Sequence, residues 1–115
     1  MTLPMFDSGL QDTEIDQMLD NARSATNFLK ALSHEGRLMI LCHLVSGEKS
    51  VTELEDLLSA RQAAVSQQLA RLRMEGLVNF RREGKAIYYR LGDERVEQMI
   101  EVIYEMFCKD DAQKD

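Results

Sequence analysis

At 115 residues, with 44% hydrophobic and 30% charged residues, the chain has the size of one domain and the composition of a helix-rich globular protein, which excludes a disordered or low-complexity chain. Its longest unbroken apolar run, Leu38 to Cys42, is far too short to cross a bilayer, and the N-terminal segment is acidic, so neither a membrane anchor nor an export signal is expected and the cytoplasm is the expected location. The formal net charge of −6 taken alone argues against nucleic acid, because phosphate binding demands lysine and arginine.

The distribution of charge argues the other way. Between Ser59 and Arg90 stand Arg61, Arg71, Arg73, Arg81, Arg82, Lys85 and Arg90 against only Glu75 and Glu83, and the remainder of the chain is correspondingly acidic. A basic segment inside an acidic chain reads as a footprint for phosphates or, more plainly, as a solvated charged surface.

Residues 1–12 show no periodicity and carry Pro4, Asp7, Ser8 and Gly9, so they are expected to form a flexible tail ahead of a domain over 13–108, with a charged tail at 109–115. Ile15, Met18, Leu19, Ala22, Ala25, Phe28, Leu29 and Leu32 then recur at spacings of three and four, which predicts a long amphipathic helix. Ser33 can cap a second helix in which Leu38, Leu41, Cys42 and Val45 form the apolar stripe, ending at Gly47. After a polar turn, Thr52 and Glu55 have the spacing of a capping box before a short helix with Leu54, Leu57 and Leu58. Ser59 and Gln62 repeat that spacing and open a further helix, with Val65, Leu69 and Leu72 as its stripe. Two short helices with almost no linker must turn sharply on one another, as in a helix-turn-helix.

Two β-branched and aromatic-rich runs, Leu77–Arg82 and Lys85–Leu91, flank Glu83-Gly84 and predict a β-hairpin with basic residues at its tip. Asp93 can cap a last helix, along which Val96, Met99, Ile100, Ile103, Met106 and Phe107 form a second strong stripe up to Cys108. The expected fold is mainly α with one small hairpin: helix, helix, helix-turn-helix, wing, helix.

Residues 22–108 resemble the ArsR/SmtB family of winged-helix repressors. The resemblance rests on Leu32-Ser33-His34-Glu35-Gly36-Arg37-Leu38-Met39-Ile40-Leu41, on Val51-Thr52-Glu53-Leu54, on Ala64 to Leu72, on Gly76-Leu77-Val78, and on Gly84 to Leu91 in the wing. It implies a DNA-binding repressor with no catalytic residues and no cofactor. The helix of residues 60–75 would enter the major groove, with Gln62, Ala63, Ser66, Gln67 and Gln68 toward base edges and Arg61 and Arg71 on phosphates. Arg81, Arg82 and Lys85, with Arg90 as a further candidate, would place the wing along the backbone, positioning the protein without specifying sequence.

Many members of that family sense metals, but residues 53–58 hold no soft ligand and the last helix holds no histidine, so no metal site is expected. What stands out instead is Cys42 in the second helix and Cys108 at the end of the last. That placement resembles the BigR/SqrR/HlyU dithiol subgroup, and the resemblance implies sensing of persulfides and related reactive sulfur species. Each cysteine also has a plain reading, Cys42 as an inert core thiol and Cys108 as an ordinary surface thiol. A peroxide- or metal-responsive repressor is the alternative. A thiol redox enzyme would need an activated thiolate, yet there is no Cys-x-x-Cys, and a DNA-free dimerisation module is a further class. The first and last helices carry more apolar surface than so small a core absorbs, so the expected partners are a second copy, paired through those helices, and a near-palindromic operator.

Overall fold

The computed structural model describes residues 11–58 and 62–109, the side chains of Gln62 and Ala63 excepted. The chain divides after Lys30 into two compact units. The first is built on α1 (Asp12–Leu32), with Asp12 and Glu14 in its first turn and Lys30 in its last, charges that complement the helix dipole. Its surface is stitched by Gln17 Nε2 donating to Asn21 Oδ1 at 3.0 Å and by an Arg23–Asp20 pair at 3.5 Å. Ile15, Leu19 and Leu29 of its predicted stripe are exposed.

The second unit runs α2 (Glu35–Val45), β1 (Lys49–Ser50), α3 (Val51–Leu58), α4 (Gln62–Met74), β2 (Val78–Glu83), β3 (Ala86–Leu91), α5 (Glu94–Ile103) and a π-helical turn, Tyr104–Cys108. The three strands form one antiparallel sheet in the order β1-β3-β2, with Val78 opposite Leu91 and Glu83 opposite Ala86 in the hairpin. Gly84 supplies the positive φ of 62° that the tight turn between β2 and β3 demands. The predicted Asp93 cap is present, its carboxylate accepting from Arg95 N at 2.9 Å.

Three local features depart from the sequence reading. The polar turn after Gly47 includes a short strand, in which Lys49 pairs with Tyr89 and Ser50 with Tyr88. That pairing makes Ser50 the last extended residue, so the capping box is Ser50 with Glu53 rather than Thr52 with Glu55. Ser50 N donates to Glu53 Oε1 and Glu53 N to Ser50 Oγ, both at 3.0 Å. The cap of α2 is His34, not Ser33: the imidazole Nδ1 accepts from Gly36 N at 3.0 Å and Arg37 N at 3.4 Å.

The core of this unit gathers one buried stripe from each helix: Ile40, Leu41 and Leu44 from α2, Leu54 from α3, Val65, Leu69 and Leu72 from α4, and Val96 and Ile100 from α5. Leu77 and Val78 close it from the sheet side. Burying each such side chain contributes roughly 1.5–3 kcal/mol. The stripe of α2 is rotated from the expected one. Cys42 is exposed, while Ile40 and Leu44 are buried. Leu38 to Leu41 are all apolar, so spacing alone left the inward face of this helix open.

Candidate DNA-binding face and thiol pair

Helix α4 buries Val65, Leu69 and Leu72, and the 3.6-residue repeat then leaves Ser66, Gln67 and Arg71 exposed on another face. Arg71 holds Glu75 one turn on at 3.3 Å. Gln68 is half-buried and differently engaged: its Oε1 accepts from Arg37 Nη1 at 3.2 Å, and its amide nitrogen lies 3.5 Å from His34 Nε2. The expected Ser59–Gln62 capping box, Arg61, and the side chains of Gln62 and Ala63 lie outside the described residues.

The hairpin carries Arg81, Arg82 and Lys85, all exposed, toward its turn, with Arg81 and Arg82 on opposite faces of β2. Arg81 is gripped there. Its Nε and Nη2 donate to the Glu48 carboxylate at 2.7–3.1 Å, its Nη1 donates to Glu83 Oε2 at 2.7 Å, and its guanidinium lies 4.6 Å over the Tyr88 ring. The hydrogen bonds from Arg81 hold Glu48 below the ordinary carboxylate range, and those carboxylates push Arg81 further up. Arg82 and Lys85 enter no ion pair among the described residues. Arg73, to which sequence reading gave no role beyond charge, stacks 4.0 Å over Phe80 and ties α4 to the wing.

The two cysteines come together. Cys42 and Cys108 are free thiols lining one cavity of about 920 Å³, with Met39, Val45, Ile100 and Tyr104 among its other walls. The π-helical turn has a direct part in this. Continued as an α-helix, α5 would carry Cys108 eight residues on from buried Ile100 and about 80° round from it. A turn closed over five residues, as by Lys109 N to Tyr104 O, rotates each residue less and returns Cys108 toward the azimuth of Ile100. Cys42 is exposed as a residue, but the atoms packed round its thiol partly desolvate it and push it above its ordinary pKa, and charge on Cys108 adds to the shift. Cys42 is therefore mainly the thiol at neutral pH. Among the described residues no three His, Cys, Asp or Glu side chains converge to hold a metal ion, and no helix is long and apolar enough to cross a membrane.

A helix-turn-helix followed by a basic hairpin and a closing helix defines the winged helix-turn-helix class of transcription regulators. The family model for the bacterial regulatory proteins of the arsR family matches residues 34–79. The biofilm growth-associated repressor of Xylella fastidiosa (strain Temecula1) is 40% identical over 113 residues, covering 98% of this chain and 99% of that protein. The chain belongs to the arsR family. HlyU of Vibrio cholerae, named a transcriptional activator, is 42% identical over 95 residues, 83% of this chain and 88% of the relative. The structure of reduced HlyU superposes with a TM-score of 0.77 at 43% identity, covering 80% of this chain and 97% of the other. A homodimeric winged helix-turn-helix domain from Mycobacterium bovis matches with a TM-score of 0.64 at 30% identity, covering 87% and 89%.

Proposed function

We propose that this chain is a homodimeric, cytoplasmic transcriptional repressor that releases its operator when Cys42 and Cys108 are bridged by reactive sulfur species. The observation that carries the reading is the shared cavity of the two thiols, because it joins α2, which packs on α4, to the end of α5. A bridge there ties the helix beneath the reading head to the last helix of the chain.

Helix α4 lies in the major groove, where Gln67 and Ser66, with Gln62 and Ala63 at the start of the helix, meet base edges and Arg61 and Arg71 meet phosphates. The wing follows the backbone through Arg81, Arg82 and Lys85. Exposed Val102, Met106 and Phe107 at the end of the chain, together with Ile15, Leu19 and Leu29 of α1, support pairing with a second copy. A two-fold dimer then reads a near-palindromic site. The name of the Xylella relative supports repression, and the homodimer from Mycobacterium bovis supports the pairing.

The chemistry balances without any further oxidant if the inducer is an organic polysulfide. With a tetrasulfide, one thiolate attacks an inner sulfur, a persulfide anion leaves, and a mixed trisulfide forms. The second thiolate attacks the middle sulfur of that adduct and expels the remaining thiolate. Two cysteine thiolates are oxidised by two electrons, the tetrasulfide is reduced to a persulfide and a thiolate, and one sulfur stays in the bridge. A direct disulfide needs Cα atoms within about 7 Å, and each inserted sulfur extends the reach by up to about 2 Å, so bridge length can select polysulfide over peroxide. Intact-mass measurement after treatment with each oxidant tests this: a sulfur-containing bridge within one subunit is expected. Release of DNA by zinc and not by polysulfide would overturn the sensor reading.

A further inference from the structure

We infer that His34, acting with Arg37 and Gln68, is a positioning residue that sets α4 against α2 for DNA binding, and that it does so only as the neutral imidazole. The inference rests on the DNA-binding reading of α4 and adds a residue group to it. His34 Nδ1 accepts from Gly36 N and Arg37 N at the start of α2, so it carries no proton in this arrangement. The ring lies close over the helix: a Cβ on Gly36 would stand 3.1 Å from its Cε1 and 3.2 Å from its Nδ1. Its Nε2, which carries the ring proton in that tautomer, lies 3.5 Å from the Gln68 amide nitrogen, also a donor, so the two groups pack without a hydrogen bond and His34 reaches Gln68 through Arg37. Arg37 completes the link, donating through Nε to Ala31 O at 2.6 Å and through Nη1 to Gln68 Oε1 at 3.2 Å.

Gln68 follows Ser66 and Gln67 on α4, so holding its side chain on α2 fixes α4 against α2 there. The buried stripe of α4 sets which residues are exposed, and this anchor sets how closely Ser66 and Gln67 approach the base edges, and so how strongly, rather than which, base pairs are preferred. Gln68 is thereby an anchor, and base reading falls to its exposed neighbours Ser66 and Gln67. Protonation undoes the anchor at its root. A proton on Nδ1 turns the acceptor into a donor pointed at two N–H groups and sets a positive charge at the positive end of the α2 dipole, beside Arg37. Glu35 is the one acid beside the ring on α2. Among the described residues, α3 and α4 contribute only uncharged groups to the small cavity there: Leu58, Ala64, Val65 and Gln68.

The test uses the full chain and a duplex of ~30 bp selected from a random pool by the wild-type protein, with a scrambled duplex as control. Affinities for both, and unfolding free energies by urea, are measured at about pH 8 and about pH 5.5, the range across which imidazole changes charge. Wild type should lose roughly five- to tenfold of its preference for the selected duplex on acidification, the scale of losing a helix cap. His34→Asn, whose amide caps a helix and does not titrate in this range, should keep binding at pH 8 and show a flat profile. His34→Ala should bind weakly at both pH values, and Gln68→Ala should lower affinity without changing which base pairs are preferred. Parallel pH profiles for wild type and His34→Asn would overturn the inference, as would a changed base preference in Gln68→Ala. Absence of any wild-type preference for a selected duplex at about pH 8 would overturn the DNA-binding reading itself.

Discussion

Glu48 and Arg81, 33 residues apart in sequence, form a bidentate ion pair at 2.7–3.1 Å that holds the wing's first arginine against the turn after α2. A phosphate reaching Arg81 has to compete with that carboxylate. Glu48→Ala should therefore tighten binding to operator and random DNA alike, by roughly two- to fivefold, and steepen the salt dependence by about one phosphate contact. Arg81→Ala and Lys85→Ala should weaken both by a common factor. Anisotropy titrations at two salt concentrations check this, and a loss confined to the operator would contradict the phosphate role.

Gln67→Ala should relax sequence preference at one base pair, at a cost of about 1–3 kcal/mol there, because its exposed amide can pair bidentately with a base edge. Binding-site selection with the variant reads this directly. An unchanged consensus would place base reading elsewhere on α4.

Much of this architecture was legible from spacing. The stripe of α4, the glycine turn of the hairpin and the Asp93 cap all stand where the sequence puts them, because local chemistry alone specifies them. Features that depend on distant partners were not legible. Ser50–Glu53 and Thr52–Glu55 have the same spacing, and only the pairing of β1 with β3 decides between them. The apolar residues of α5 keep α-helical spacing through Phe107, so nothing in them announces a π-helical turn. Cys42 was readable as a core thiol until the fold chose Ile40, Leu41 and Leu44 for the interior. Glu48, which grips Arg81, and Arg37, which holds Gln68, each lie more than thirty residues from the side chain they bind, beyond any local pattern.

Ser50→Ala should lower unfolding free energy by about 1 kcal/mol, the usual worth of an N-terminal cap, measured by urea denaturation near neutral pH. The hydrogen bonds from Ser50, its backbone N–H foremost, hold the Glu53 carboxyl below the ordinary range. A carboxylate with a depressed folded-state pKa contributes stability that is full above its unfolded pKa and is lost as pH falls through the folded one. The stability gap between wild type and Glu53→Gln should accordingly close in acid. A gap independent of pH would remove the carboxylate from the cap.

The raised pKa of Cys42, caused first by burial and then by charge on Cys108, leaves less thiolate at neutral pH than a free cysteine has. In Cys108→Ser, iodoacetamide should modify Cys42 more slowly at neutral pH than it modifies a cysteine peptide, with the inflection of the pH–rate profile above that of the peptide. An inflection below it would mark an activated thiolate instead.

The most direct measurement compares operator affinity before and after treatment with an organic polysulfide, in wild type, Cys42→Ser and Cys108→Ser, with the intact mass read on the same samples. Wild type should release the operator as each subunit gains one or more sulfurs less two hydrogens, while both variants bind like the reduced wild type and keep the DNA. Continued operator binding by the bridged protein, an inter-subunit crosslink on a non-reducing gel, or release from Cys108→Ser would contradict the switch.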